Sequence, residues 1–547
     1  VTVREIDPAL EPLATEALES VLVRRPELAS SLGDHRFDDR LADQRPEALE
    51  DDRRAWRQWL STLEAVDVQM LPPDQAVDVA ILRNRLQNLL LELEDLREYE
   101  WNPLVSNPGG SIYDLLARDY APMEVRLKAL AGRLEAVPEH LSVARRNLGV
   151  MPRVHVETAL VQFAGTLSLV TTEVDRALRR APTAVPAISR VRPAAVAALE
   201  DHVRWLTDQL PEATKDARIG PELFARKLAL TLDTVTGADD IRRRAESDLD
   251  RIEEELARTA SLVGGSVVEA FDRLAGERPD DSTVMATAAQ SLADAIRFVV
   301  DGDLVTVPPD PLEIIVMPEV RRGIAVAYCD APGALETAPL PTFFAVSPTP
   351  EDWNAAKVES FYREYNTAMV SDLVVHEAMP GHFLQLAHSR QAGTETRVRA
   401  AFRSGSFVEG WAVYAEELMA SHGYGGAAVK MQQLKMLLRS TINALLDQGV
   451  HAQGMTEPEA MALMVERGYQ EDSEATGKWR RALLTSTQLS TYYVGRTEMG
   501  DVVSALKASK PKAGEREIHD TVLSHGSPPP RHLWALLHLD GVSRGAS

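Results

Sequence analysis

VVHEAMPGHFLQ, residues 374–385, holds a His-Glu pair and a second His six positions after the first. Whether this stretch is one helix or a broken one decides both the local fold and the chemistry. In a continuous α-helix each residue turns ~100°, so a spacing of six sets His376 and His382 ~240° apart, facing away from each other. The familiar zinc-hydrolase spacing, H-E-x-x-H, uses four, which leaves two imidazoles ~40° apart and one turn from each other. The two extra residues are Pro380 and Gly381. Pro380 has no N–H to give the His376 carbonyl, and its ring pushes Met379 off helical angles. Gly381 takes backbone angles closed to other residues. A looped-out Pro-Gly bulge therefore returns His382 to roughly the place of a fourth residue, and the two rings converge.

Convergent neutral imidazoles suit Zn²⁺, which in catalytic sites has three protein ligands and one open position. Glu377 is then the candidate general base, taking a proton from water at the metal and passing it to a leaving amine. Asp372, one turn before His376, is the candidate hydrogen-bond partner of that imidazole. The third ligand is sought in GSFVEGWAVYAEELMAS, residues 405–421. There Glu409 stands among Phe407, Val408, Gly410 and Trp411, where a carboxylate is costly to bury unless paired or bound to a cation. A helix-start position favoured by the dipole is its plainer reading. Glu416, seven residues on, shares a face with Glu409 and is placed to orient a ligand.

Two C-terminal stretches are candidates to complete the site. STQLSTYYVGRTEM (486–499) offers Tyr492 and Tyr493, and a phenol can donate to the oxyanion of a tetrahedral intermediate. REIHDTVLSHGSPPPRHL (516–533) offers His519 before a turn from Gly526 to Pro530. In LLDQGVHAQG (445–454), Asp447 and His451 pair at i, i+4; the first reading is structural, and support of a ligand is the alternative. Arg439, Arg481 and Arg496 are candidates to grip a substrate terminus.

Away from these motifs the chain is helical in pattern. Residues 16–33, 76–100 and 123–148 repeat Leu, Val and Ala at i, i+3, i+4 and i+7. Residues 240–260 are so charged that they read as a solvated surface helix, and APTAVPAIS (181–189) reads as a loop between lobes. From Leu312 to Pro348 the pattern changes. EIIVM, GIAVAYC and TFFAV are rich in β-branched or aromatic residues, bounded by Pro or Gly, and predict a small antiparallel sheet directly before the His376 helix. An open strand edge there suits an extended peptide, although a sheet that closes the core is an equal reading.

The chain has 547 residues, too many for one core, and 59 basic against 82 acidic side chains, a net charge of −23. So acidic a surface repels nucleic acid and anionic membranes. Cys329 is the only cysteine, which excludes an intrachain disulfide and a cysteine-rich metal site. The opening VTVREIDPALEPLATEALES lacks the apolar core of a signal peptide, and no run of 18 apolar residues occurs. A cytoplasmic protein without a membrane partner is expected.

HEAMPGHFLQ, FVEGWAVYAEEL, LLDQGVHAQGMT, QLSTYYVG and IHDTVLSHGSPP occur in the order in which they stand in the bacterial DUF885 family, which this chain resembles over nearly its whole length. PELASSLGDHRFDDRLAD and RLKALAGRLEAVPEHLSVARRNL resemble family segments too. The family is related to the large helical gluzincin metallopeptidases. The resemblance implies a mainly α, two-lobed fold around a deep cleft, as in thimet oligopeptidase, neurolysin or carboxypeptidase Taq. It divides the chain into a helical lobe over 1–220 and a catalytic lobe over 221–547, interleaved as one unit. It implies His376, His382 and Glu409 as metal ligands and Glu377 as general base. Tyr492 matches the family's Ser-Tyr position, here Thr491-Tyr492, and His519 its Phe-His position, here Ile518-His519. The chain departs from the family at Phe383, where a second His often stands, and at TFFAV, where a Tyr pair is usual.

Three functions are compatible with this reading. The first is a zinc-dependent peptidase acting on short peptides. The second is a metal-dependent hydrolase or lyase of a small non-peptide metabolite. The third is a catalytically silent scaffold that binds peptides. Stoichiometric metal separates the third from the others, and a substrate panel separates the first two.

Overall fold

The computed structural model describes residues 10–317, 322, 326–391 and 396–539. The chain divides into two compact units: Val1–Leu223 with Pro332–Leu340, and Phe224–Ala331 with Pro341–Ser547.

The first unit is built of helices, including Pro46–Glu64, Pro73–Leu91, Met123–Asn147, Arg153–Ser168 and Val185–Gln209. Their apolar stripes meet in one core, where Leu127, Leu134, Phe163, Leu199 and Leu206 are fully buried. The expected inter-lobe loop at 181–189 lies inside this unit and is helical. Pro182–Ala184 form a 3₁₀ turn and Val185–Gln209 an α-helix whose first turn accommodates Pro186, where a missing N–H costs nothing. The excursion Pro332–Leu340 is pinned to this unit by His35. Its Nδ1 pairs with Asp38 at 3.0 Å, its Nε2 with Glu336 at 2.9 Å, and its ring stacks on Tyr120.

The second unit carries the sheet and the motif-bearing helices. Strands β1 (Leu312–Val316), β2 (Ala327–Asp330) and β3 (Thr342–Val346) stand in the order β1-β3-β2. The expected antiparallel sheet is mixed: β1 runs parallel to β3, and β2 antiparallel. The long connection between β1 and β3 permits the parallel pairing, which a short hairpin would forbid. Of the predicted strand GIAVAYC, Gly323–Ala325 lie outside the described residues.

Six helices matter for the site: α1 (Thr367–Glu377), α2 (His382–Gln391), α3 (Gly405–Ser421), α4 (Gly426–Ala452), α5 (Asp472–Leu484) and α6 (Ser490–Ser509). The charged helix Ala238–Val263 is more than a surface element. Its Ile241, Ala245, Leu249, Ile252 and Leu256 form a buried stripe, and the last three share a core with Leu434, Leu438 and Ile442 of α4. Each Leu or Ile so buried contributes roughly 1.5–3 kcal/mol, enough to anchor a helix whose other faces are ionic. Helices α3 and α6 touch at Gly410 and Gly495, where a Cβ on Gly410 would lie 2.3 Å from the Gly495 carbonyl carbon. Only glycine permits so close an approach of two backbones. Among the described residues, no helix is long and apolar enough to cross a membrane.

Candidate metal centre

The HEAMPGH stretch is two helices joined by a turn, not one helix with a bulge. α1 ends at Glu377, and the N–H groups of Ala378 and Met379 both donate to the Val374 carbonyl, at 2.9 and 3.0 Å. A cis peptide joins Met379 to Pro380. The Gly381 N–H reaches back to the Val375 carbonyl at 2.9 Å, and α2 starts at His382. A Cβ on Gly381 would lie 1.9 Å from the His376 carbonyl oxygen, so the turn closes only around glycine. The outcome is the convergence that an unbroken helix denies. The rings of His376 and His382 stand 4.7 Å apart, centroid to centroid, nearly perpendicular.

Glu409, on the second turn of α3, completes the group. Its Oε2 lies 3.6 Å from Nε2 of His376 and 3.6 Å from Nε2 of His382. One ligand atom from each of the three residues lies within 4.8 Å of the others. A tetrahedral ion with bonds of ~2.0–2.2 Å needs donors ~3.3–3.6 Å apart, so the spacing fits a cation between them. The Glu409 Oε2 is buried and accepts no hydrogen bond, an expensive state for a carboxylate oxygen that a cation would relieve. The donor set of two imidazoles and one carboxylate is a zinc set. The residues fit the metal.

The surroundings prepare these groups. His376 donates Nδ1–H to Glu416 Oε1 at 2.5 Å, which orients the ring and turns Nε2 toward Glu409. Burial pushes the His376 ring toward neutrality, but Glu409 and Glu416 outweigh it and hold its pKa well above the ordinary value. At His382 burial prevails and the pKa falls below the ordinary value. Burial also pushes the Glu409 carboxyl up, yet His376, His382 and Arg481 bring it below the usual range. The tether for His376 thus comes from the neighbouring helix through Glu416 rather than from its own helix through Asp372. Asp372 is buried close by, and burial and the charge of Glu416 push its pKa well above the usual carboxylate range.

Glu377 is not one of the three, but its charge acts on both histidines. Its Oε2 accepts the Cys329 backbone N–H at 2.9 Å, so the carboxylate is held against β2, the outermost of the described strands. Sequence reasoning had no signal for this contact. Trp411 was likewise missed as a functional support. Its Nε1–H donates to the Pro380 carbonyl at 2.8 Å and ties the turn to the helix that carries Glu409. The W of the VEGWA motif, two residues after Glu409, is where that signal lay. The SHGSPP turn supports the same helix, since Ser404, the N-cap of α3, donates its N–H to the Ser527 carbonyl at 2.9 Å.

Other expected site residues have different surroundings. His519 is fully buried with both ring nitrogens spent. Its Nδ1–H donates to the Leu304 carbonyl at 2.7 Å, and its Nε2 accepts the Tyr414 hydroxyl at 2.8 Å. It packs against Trp411 as a pillar and has no nitrogen left for a substrate. Asp447 accepts the N–H groups of Thr487 and Ser490, both at 3.0 Å, and the Ser490 hydroxyl. His451 donates Nε2–H to the carbonyls of Ala482 and Thr485. The pair therefore splints the turn before α6 and bonds to no member of the triad. Tyr492 is half-buried in the first turn of α6, whose Thr491 and Gly495 flank the start of α3. Its neighbour Tyr493 is buried and donates to Asp248 at 2.9 Å. Arg439 is committed to Glu364 and Glu474, and Arg496 to Glu417, whereas Arg481 donates to the neutral Gln488 and acts on Glu409.

A family model described as "Bacterial protein of unknown function (DUF885)" matches residues 26–537. Two solved structures share the fold. One, "a putative lipoprotein of unknown function from Shewanella oneidensis", has 26% identity and a TM-score of 0.84, covering 97% of this chain and 100% of that one. The other, described as "the putative lipoprotein from Colwellia psychrerythraea", has 16% identity and a TM-score of 0.80, covering 97% and 99%. No curated protein matches. The description of both relatives as lipoproteins overturns the cytoplasmic expectation. An acidic composition with one cysteine does not separate compartments, since a protein exported without disulfides has the same one.

Proposed function

The chain belongs to the DUF885 family of bacterial proteins of unknown function, and on that premise we propose that it is a zinc-dependent hydrolase, a metallopeptidase of short peptides. The observation that carries this reading is the convergence of His376, His382 and Glu409 on one point, with Glu377 held beside it. Zinc, when bound there, supplies Lewis acidity, polarising a carbonyl and making water a nucleophile near neutral pH. The chain's own residues do the rest. Glu377, restrained by the Cys329 N–H, receives a proton from the attacking water and delivers it to the departing amine. Glu416 keeps His376 in one tautomer through the cycle. Strand β2, outermost of the described strands, lies against Glu377, which would set an extended substrate beside the general base and favours a peptide over a compact metabolite.

The test is Glu377→Gln in zinc-loaded protein assayed on di-, tri- and longer peptides. The expected result is about one zinc per chain retained and turnover reduced ~10²–10⁴-fold. Wild-type rates in that variant would overturn the mechanism. Activity on small amides or esters with none on peptides would move the substrate class to a non-peptide metabolite.

A further inference from the structure

Helix α5 carries positive charge in excess. Glu474, Lys478 and Arg481 stand at i, i+4 and i+7 and form one stripe, while Ala475, Trp479 and Ala482 beside it turn into the core. At the first end of the stripe the ions are matched. Lys435 pairs with Glu364 at 2.9 Å, and Arg439 with Glu364 and Glu474, both at 2.9 Å, so that two cations face two carboxylates. Lys478 and Arg481 have no such match. Among the described residues, no carboxylate stands within ion-pair distance of either. Arg481 is exposed and donates to the neutral Gln488 at 2.8 Å. Lys478 is half-buried, and burial, resisted by Glu474 and aided by Arg439 and Arg481, pulls its pKa down to about 8. Like charges three residues apart on one helix repel, and a half-buried ammonium without a partner is costly, so the pair is short of an anion.

The other end of the stripe reaches the metal centre. The Gln488 carbonyl accepts the Thr491 N–H at 3.2 Å, and a Cβ on Gly405 of α3 would lie 3.5 Å from the Thr491 Cγ2. Gly405 stands one turn before Glu409, and the Arg481 charge is felt at the Glu409 carboxylate. The chain as a whole is strongly acidic, with a net charge of −23. An unspent cation pair beside the ligands reverses that field locally and draws in an anion. The guanidinium fork suits a carboxylate bidentately, and the ammonium adds a point charge.

We infer that Lys478 and Arg481 form the subsite that receives a carboxylate of the substrate. This subsite deepens the metallopeptidase reading and rests on it for the ligand being a peptide. A peptide presents a carboxylate either at its C-terminus or on an acidic side chain. In the first case the pair confines cleavage to the C-terminal end of the substrate; in the second it selects an Asp or Glu next to the scissile bond.

The test is calorimetric binding to zinc-loaded Glu377→Gln of tripeptides of varied sequence, as free acids and as C-terminal amides, with amides ending in Glu set against amides ending in Gln. A carboxylate at one of the two positions is expected to tighten binding ~10–100-fold over its neutral counterpart, and the position that does so names the source. Arg481→Met and Lys478→Met in the same background are each expected to weaken binding of the acid about tenfold or more and to leave the amide unchanged. Arg481→Lys is expected to restore part of that loss. Equal affinity for acid and amide at both positions would overturn the subsite. So would an acid preference that survives both Met variants, since the carboxylate would then sit on the metal. Met variants that weaken acid and amide alike would mark a structural role and overturn it too. Acid preference in binding with no turnover of any peptide by the wild type would leave the subsite and remove the hydrolase reading; turnover of acids and amides at equal rates would do the reverse.

Discussion

His376, largely buried, and His519, fully buried, both belong to the second unit, both lie beside α3, and both have an oxygen at each end of the ring. Their consequences differ. At His519 a carbonyl accepts one nitrogen's proton and a hydroxyl donates to the other, so every valence is spent within 3 Å. At His376 the carboxylate of Glu416 takes Nδ1, while Nε2 faces an acceptor-only carboxylate 3.6 Å away, too far for a good hydrogen bond and about right for two ligands of one ion. What makes a site is an unspent valence that two other side chains share.

The sharpest way to break this comparison is to remove each ring in turn. His376→Ala is expected to take bound zinc from about one per chain to none. His519→Ala is expected to keep the zinc and lose about 1–3 kcal/mol of stability, because it strands a buried carbonyl and a hydroxyl. Elemental analysis and thermal melts of the two variants decide it; loss of zinc from the second would erase the distinction. A smaller effect follows from Glu416→Gln, which keeps an acceptor oxygen but drops the charge. Zinc affinity, measured by competition with a chelator, should fall ~10–100-fold, and an unchanged affinity would make Glu416 a packing residue only.

The smallest effect concerns Glu498 of α6, a buried carboxylate that accepts from Thr234 and has a second oxygen without a partner. Among the described residues no histidines converge on it, and burial pushes its pKa up to about 7. The folded state therefore binds more protons than the unfolded one between about pH 4.5 and 7, and stability from this group is lost as pH rises through that window. Glu498→Gln should flatten that slope and gain on the order of 1 kcal/mol at pH 8. A slope as steep as in the parent would mean that another group sets it.

The helical character and the broken HEAMPGH helix were legible because both are written locally, in periodicity and in a Pro-Gly pair. Glu409 was legible because a lone acid among Phe407, Val408 and Trp411 needs a reason to be there. The rest depends on partners distant in sequence. Nothing in IHDTVL indicates that Leu304 and Tyr414 saturate His519, nor in LLDQGVHAQG that Asp447 holds the turn before α6. The direction of β1 relative to β3 is set by the path of the connection, which alternating residues do not encode. The helix Ala238–Val263 misled for a related reason: its charges outnumber a buried stripe that still has helical spacing.

One rod, α3, carries Glu409, the Trp411 tether to Pro380, the glycine notch against α6 and the Glu416 clamp on His376. Sliding that rod by a single residue would rotate all four by ~100° at once. Partial drift is closed to such an arrangement: the four parts keep step or are lost together, and insertions or deletions within Gly405–Ser421 should be far less tolerated than substitutions on its outer face.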